Sequence, residues 1–169
     1  VLKTDPPPAI ADVLRTVLNY PQSSTETVDL FHPAIALLQT WVDPADPINY
    51  GALWHDRLGR VPSLALTSGL KDTFTPPPCH GALAASWGVP LVKPIAKDIP
   101  VLDLVGPPPV GGDGPMHDDL EVNDGSTVTA GMLQYPDDGH FAVFDNPDAR
   151  AAFRQFFATF QTGTPSIQV

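Results

Sequence analysis

Apolar residues recur along this chain with two different periods, and the change falls near residue 61. In AIADVLRTVL, Ile10, Val13, Leu14, Val17 and Leu18 stand at helical spacing, and Asn19 and Pro21 close the segment, which predicts a short amphipathic helix. Pro33 to Val42, in HPAIALLQTWV, is nearly all apolar and stops at DPADP, where two Asp-Pro steps push the backbone towards extended or turn geometry. That segment predicts a helix that is buried or covers something. Pro21, Pro33, Pro44 and Pro47 remove donors that a central strand needs, so residues 1–60 are expected to be helical rather than a sheet layer.

From Val61 the pattern becomes that of an α/β protein. VPSLALTSG, Val61 to Gly69, is a short apolar run ending in small residues, the signature of a strand buried on both faces. A loop, KDTFTPPP, follows it. Pro77 to Trp87 predicts a helix, with proline tolerated in the first turn and Gly88 just past the end. Residues 89–126, rich in proline, glycine and acid with short apolar pieces (VPLV, IPVLDLV), are assigned to an insertion. TVTAGMLQY, Thr127 to Tyr135, predicts a second strand. After the loop PDDGH, Asp145 to Phe160 predicts a closing helix, with Asn146 as N-cap, Pro147 at the first position, and Phe153, Phe156, Phe157 and Phe160 as an aromatic stripe assigned to the core.

Two strands and their helices do not complete a doubly wound sheet, because a central parallel strand needs neighbours at both edges. Part of the sheet is therefore expected to lie elsewhere. The 169 residues carry a net charge of -10, and the nine basic residues are scattered, so no footprint for nucleic acid or anionic lipid exists. A single cysteine, Cys79, excludes an internal disulfide, and the histidines lack ligand spacing, so no metal or other cofactor is expected. No apolar run approaches the ~18 residues of a membrane span, and VLKTDPPPAI is not a signal peptide. Twenty-one prolines, in runs such as Pro6 to Pro8, Pro76 to Pro78 and Pro107 to Pro109, with 17% charged residues, point towards an exported, extracellular or periplasmic bacterial protein.

The candidate chemistry sits just past the two strands. In open α/β sheets reactive groups gather in loops beyond the C-terminal strand ends, and Asp72 and His140 both occupy that place. A histidine acting as general base needs a carboxylate on its other ring nitrogen, to fix the tautomer and stabilise the imidazolium. At these residues LALTSGLKDTFTPP resembles the α/β-hydrolase segment that delivers the triad acid, and GHFAVFDNPDARAAFRQFF is similar to that family's terminal glycine-histidine loop and last helix. The resemblance covers about residues 61–160, and residues 1–60 match only in role, as a helical lid. It implies the C-terminal part of a serine esterase or lipase, with His140 as general base and acid and Asp72 orienting it.

The nucleophile is missing from the pattern. Ser63, Ser68, Ser86 and Ser126 all lack the flanking glycines of a G-x-S-x-G elbow. The resemblance thus implies a companion chain or segment that carries the serine and the remaining strands, and an ester substrate. The rival assignments are a noncatalytic binding module on the same architecture, and a peptidase or depolymerase. Asp137 and Asp138 are fallback acids. Phe74, Trp41 and Trp54 are candidate walls of an acyl pocket, with core packing as the competing assignment. His32, His55, His80 and His117 are assigned to structure or surface, Cys79 to a buried apolar position, and the acidic run Asp113, Asp118, Asp119, Glu121, Asn123 and Asp124 to a solvated loop rather than a calcium site.

Overall fold

The computed structural model describes residues 9–21, 25, 27–29, 31–55, 61–112 and 114–168, so the proline run Pro6 to Pro8 and the acid Asp113 lie outside the described residues. The elements in order are α1 (Ile10–Val17), α2 (Pro33–Val42), two 3-10 turns (Asp43–Ala45 and Pro47–Tyr50), α3 (Gly51–His55), β1 (Leu64–Gly69), α4 (Pro77–Ser86) and α5 (Pro100–Val105). They continue with β2 (Leu120–Glu121), β3 (Thr127–Val128), β4 (Ala130–Tyr135), α6 (Ala142–Asp145) and α7 (Pro147–Phe160). The chain is mixed α/β, with a small parallel sheet and flanking helices.

β1 and β4 pair in parallel, from Leu64 opposite Ala130 to Gly69 opposite Tyr135. Alternation along the pair sends Leu64, Leu66, Met132 and Gln134 to one face, and Ala65, Thr67, Gly131 and Leu133 to the other. On the first face Leu64, Leu66 and Met132 pack with Ala84, Val89, Leu91 and Leu102, from α4, α5 and the turn between them. On the second face Ala65 and Leu133 pack with Val92, Met116, Phe156 and Ile167. Helices therefore cover both faces, as a parallel pair requires.

The segment assigned to an insertion belongs to this core. Val89 is fully buried and Val92 nearly so. The amide of Met132 donates to the Pro90 carbonyl at 2.8 Å, and the Val92 amide to the Met132 carbonyl at 3.0 Å, so residues 90–92 run along the far edge of β4. Val92 in turn bridges to Val110. β2 and β3 form a two-stranded antiparallel ribbon at the base. Its turn is closed by Asp124, whose carboxylate accepts from the amide and the hydroxyl of Ser126.

The closing helix begins as its sequence demands, since the Asn146 side chain accepts from the amides of Asp148 and Ala149 and Pro147 takes the first position. Its aromatic stripe departs from the core assignment. Phe156 is buried, while Phe153, Phe157 and Phe160 are 47%, 52% and 57% exposed. They line one side of an open groove whose other side is Pro62, Ala65 and Thr67 of the β1 segment.

Among the described residues of 10–55 the regular elements are all helices or 3-10 turns. Asn19 closes α1 in the left-handed conformation, at φ 55°. The 3-10 turn Pro47–Tyr50 and α3 dock on the end of α4: the Trp87 indole donates to the Pro47 carbonyl at 2.9 Å, and His55 Nε2 lies 2.7 Å from the Trp87 carbonyl. Of α2 only Ile35 is buried, and Leu37 and Trp41 project outward. Among the described residues no helix is long and apolar enough to cross a membrane.

Candidate active site

The two loops meet because their strands end side by side and one residue lacks a side chain. Gly69 lies opposite Tyr135 at the last step of the ladder. A Cβ on Gly69 would stand 2.1 Å from the carbonyl oxygen of Gly139 and 2.7 Å from that of Asp138, so only glycine lets the second loop cross the end of β1. Two amide bonds lock the crossing: Leu70 donates to Tyr135 at 3.0 Å and Lys71 to Asp138 at 2.8 Å.

This crossing brings His140 over Asp72. His140 Nδ1 is 2.9 Å from Asp72 Oδ2, the distance of a charge-assisted hydrogen bond. The other carboxylate oxygen, Oδ1, accepts from the amides of Phe74 and Thr75 at 2.8 and 2.9 Å, so the loop's own backbone fixes the acid. Asp72 is 6% exposed, and its burial alone raises the proton affinity of the carboxyl. The Thr75 amide, the His140 bond and the Phe74 amide outweigh that burial and hold the carboxyl below its ordinary range, so Asp72 is ionised at neutral pH. The His140 side chain is 38% exposed, leaving the ring open to solvent. Phe74 stacks on the ring, with centroids 4.9 Å apart at 27°, and Phe141 meets it edge-on.

Phe74, Asp72 and His140 are thus brought together, and the two tryptophans are not. Trp54, offered as an acyl-pocket wall, packs among Val61, Leu120, Val122, Val128 and Ala130 and donates its indole N–H to the Pro62 carbonyl. That cluster surrounds the N-terminal ends of β1 and β4, opposite to the loops carrying Asp72 and His140, so Trp54 is a core residue. Trp41 stands outward on α2, 81% exposed. The fallback acids are engaged elsewhere: Asp137 pairs with Lys71 at 2.8 Å, and Asp138 accepts from the Asn146 side-chain amide at 2.7 Å.

One residue assigned to structure belongs to the site. His80, in the first turn of α4, places Nε2 3.5 Å from Asp72 Oδ2 and Nδ1 2.9 Å from the hydroxyl of Ser68. Its signal in the sequence is helical spacing, since His80 shares the inward stripe of α4 with the fully buried Ala84, and a polar ring on such a stripe needs a partner. The remaining histidines lie apart from the site: His32 caps α2 and meets the Tyr20 hydroxyl, His55 meets the Trp87 carbonyl, and His117 lies beside Asp118. Cys79 is a half-buried free thiol. Among the described residues no three histidine, cysteine or acidic side chains gather as a metal site.

Comparison of the chain with protein-family models, with curated proteins and with solved structures finds no match.

Proposed function

We propose that this chain is the acid and histidine part of a serine hydrolase of α/β-hydrolase type, cleaving carboxylic esters through an acyl-enzyme. The observation that carries the reading is the 2.9 Å contact between His140 and the buried Asp72, made by loops at the C-terminal ends of adjacent parallel strands. In this reading Asp72 keeps the proton of His140 on Nδ1, which leaves Nε2 to take the proton of a serine hydroxyl and return it to the leaving alcohol. The ionised carboxylate offsets the charge of the imidazolium formed in between. Phe74 limits the tilt of the ring and offers an apolar surface to an acyl group.

The serine comes from a companion chain or segment, because no serine here stands in a nucleophile elbow. The outer edge of β1 is where its strand adds. The Leu64 amide donates to Thr129, just before β4, and the Leu70 amide to Tyr135 at its end, so strand alternation turns the amides of Ala65, Thr67 and Gly69 outward. Among the described residues no strand meets them. The half-exposed phenylalanines of α7 flank that same edge.

The exposed apolar side chains of α2 favour a second reading, a noncatalytic module that binds a partner through its N-terminal helices. Substitution of the acid separates the two. In the complete protein Asp72→Asn is expected to lower kcat on a short-chain ester by about 10³ to 10⁴ while the fold persists, as loss of the orienting acid does in serine hydrolases. Esterase activity that survives Asp72→Asn within twofold, or is absent from the complete protein, overturns the hydrolase reading.

A further inference from the structure

Asp72 meets two imidazoles, and the reading above uses only one. Its Oδ1 is occupied by the Phe74 and Thr75 amides, so Oδ2 alone faces the rings, with His140 Nδ1 at 2.9 Å and His80 Nε2 at 3.5 Å. The His80 ring spans the gap between the acid loop and β1, where Nδ1 sits 2.9 Å from the hydroxyl of Ser68. Ser68 is 1% exposed, so its hydroxyl is a fixed anchor rather than an attacking group. One tautomer suits both neighbours: Nε2–H faces the carboxylate, an electrostatic contact at 3.5 Å rather than a hydrogen bond, and Nδ1 accepts from the Ser68 hydroxyl.

We infer that His80 is a positioning residue, a neutral imidazole that, anchored by Ser68, turns its Nε2–H towards Asp72 Oδ2 and offsets part of the carboxylate charge. A neutral donor suits this role, because a second imidazolium on the same oxygen would compete with that of His140. Burial lowers the proton affinity of His80, Asp72 raises it and His140 lowers it, and the outcome lies below the ordinary histidine range. The titratable groups acting on the ring are Asp72 from the loop after β1 and His140 from the loop after β4. Cys79 adjoins it on α4, and Lys97 and Asp98, before α5, border the apolar cavity that Ser68 also lines.

The catalytic consequence rests on the proposed hydrolase reading, whereas the contact itself is testable in this chain alone. Histidine ring nitrogen–proton correlation spectra recorded across pH report the pKa of His140 in the wild type and in two variants. His80→Asn places a carboxamide where Nδ1 stood, keeping the Ser68 partner while nothing reaches Asp72. His80→Gln places its amide near the former Nε2, restoring a neutral donor to the acid. With the donor gone the full carboxylate charge acts on His140, so His80→Asn is expected to raise its pKa by about 0.5 unit, and His80→Gln by less than half of that. In the complete protein kcat is expected to fall about fivefold in His80→Asn with KM unchanged, and to recover in His80→Gln. If His80→Asn does not fold, Ser68→Ala, which frees the ring without removing it, is expected to give a smaller rise in the same pKa. A His140 pKa unchanged within about 0.1 unit, or lowered, overturns the inference. A shifted pKa in a protein without esterase activity overturns the hydrolase reading and leaves the role of His80 standing.

Discussion

β1 and β4 are the same length and run side by side, yet they live in different surroundings. β4 has a backbone partner at each edge, β1 at one and the bridging residues 90–92 at the other, and Ala130, Gly131 and Met132 are buried. Among the described residues β1 pairs with β4 alone, and Leu64, Ala65 and Leu66 are only half-buried with Thr67 exposed. β1 thus carries the apolar side chains of an interior strand at the border of the described sheet, beside an α7 that leaves three phenylalanines half in solvent. Apolar area left in water forgoes about 25 cal/mol per Å², so a strand and helix that cover it gain binding energy from surface already in place. On the proposed reading, the serine-bearing part attaches at β1, on the side of the sheet away from residues 90–92.

The ends of the two strands offer the sharpest way to break this comparison. Gly69→Ala puts a methyl group 2.1 Å from the Gly139 carbonyl, whereas a methyl on Gly139 meets nothing nearer than the Lys71 carbonyl at 3.6 Å. Gly69→Ala is therefore expected to cost about 3 kcal/mol or more in chemical denaturation, as severe overpacking does. It should also abolish the Nδ1 proton signal that marks the His140 bond to Asp72. Gly139→Ala is expected to stay within about 1 kcal/mol and keep that signal.

The free edge is tested with little expected change in the chain itself. The Thr67 amide faces outward, so Thr67→Pro leaves the β1–β4 ladder whole and is expected to cost the isolated chain less than about 1 kcal/mol. Addition of a further strand loses a donor and leaves a carbonyl unpaired, worth about 1 to 3 kcal/mol, so titration calorimetry with the serine-bearing part should show binding weakened at least about tenfold. Unchanged binding would place the attachment elsewhere.

The strands, the loops bearing Asp72 and His140 and the cap of α7 were legible in the sequence because each rests on local chemistry: an apolar run with small residues at its end, a Pro-rich loop, Asn146 before Pro147. What was not legible depends on partners distant along the chain. VPLV is too short to tell strand from loop, and only the approach of Met132 makes Leu91 and Val92 part of the sheet. Helical spacing put Phe153, Phe156, Phe157 and Phe160 near one face of α7 without saying how much of that face this chain covers. Trp54 has the chemistry of a pocket wall and of a core residue alike, and its place among Val61, Leu120 and Ala130 decides for the core. His80 depends on a carboxylate eight positions earlier and a hydroxyl on the neighbouring strand.

The exposed phenylalanines of α7 yield the smallest effects, with the buried Phe156 as their control. Phe156→Ala is expected to destabilise the chain by about 3 to 5 kcal/mol, while Phe153→Ser and Phe157→Ser should each cost less than about 1 kcal/mol. If the exposed pair faces the serine-bearing part, the two serine variants should still weaken its binding several-fold, whereas equal and large losses of stability at all three positions would make the whole stripe core.

The most direct test of the account is labelling of the complete protein with a fluorophosphonate, read by intact mass with and without His140→Ala. The account predicts one phosphonate adduct, on a serine outside these 169 residues, formed at least about 10³-fold more slowly in His140→Ala. An adduct on a serine of this chain, Ser68 above all, or labelling indifferent to His140, would contradict it.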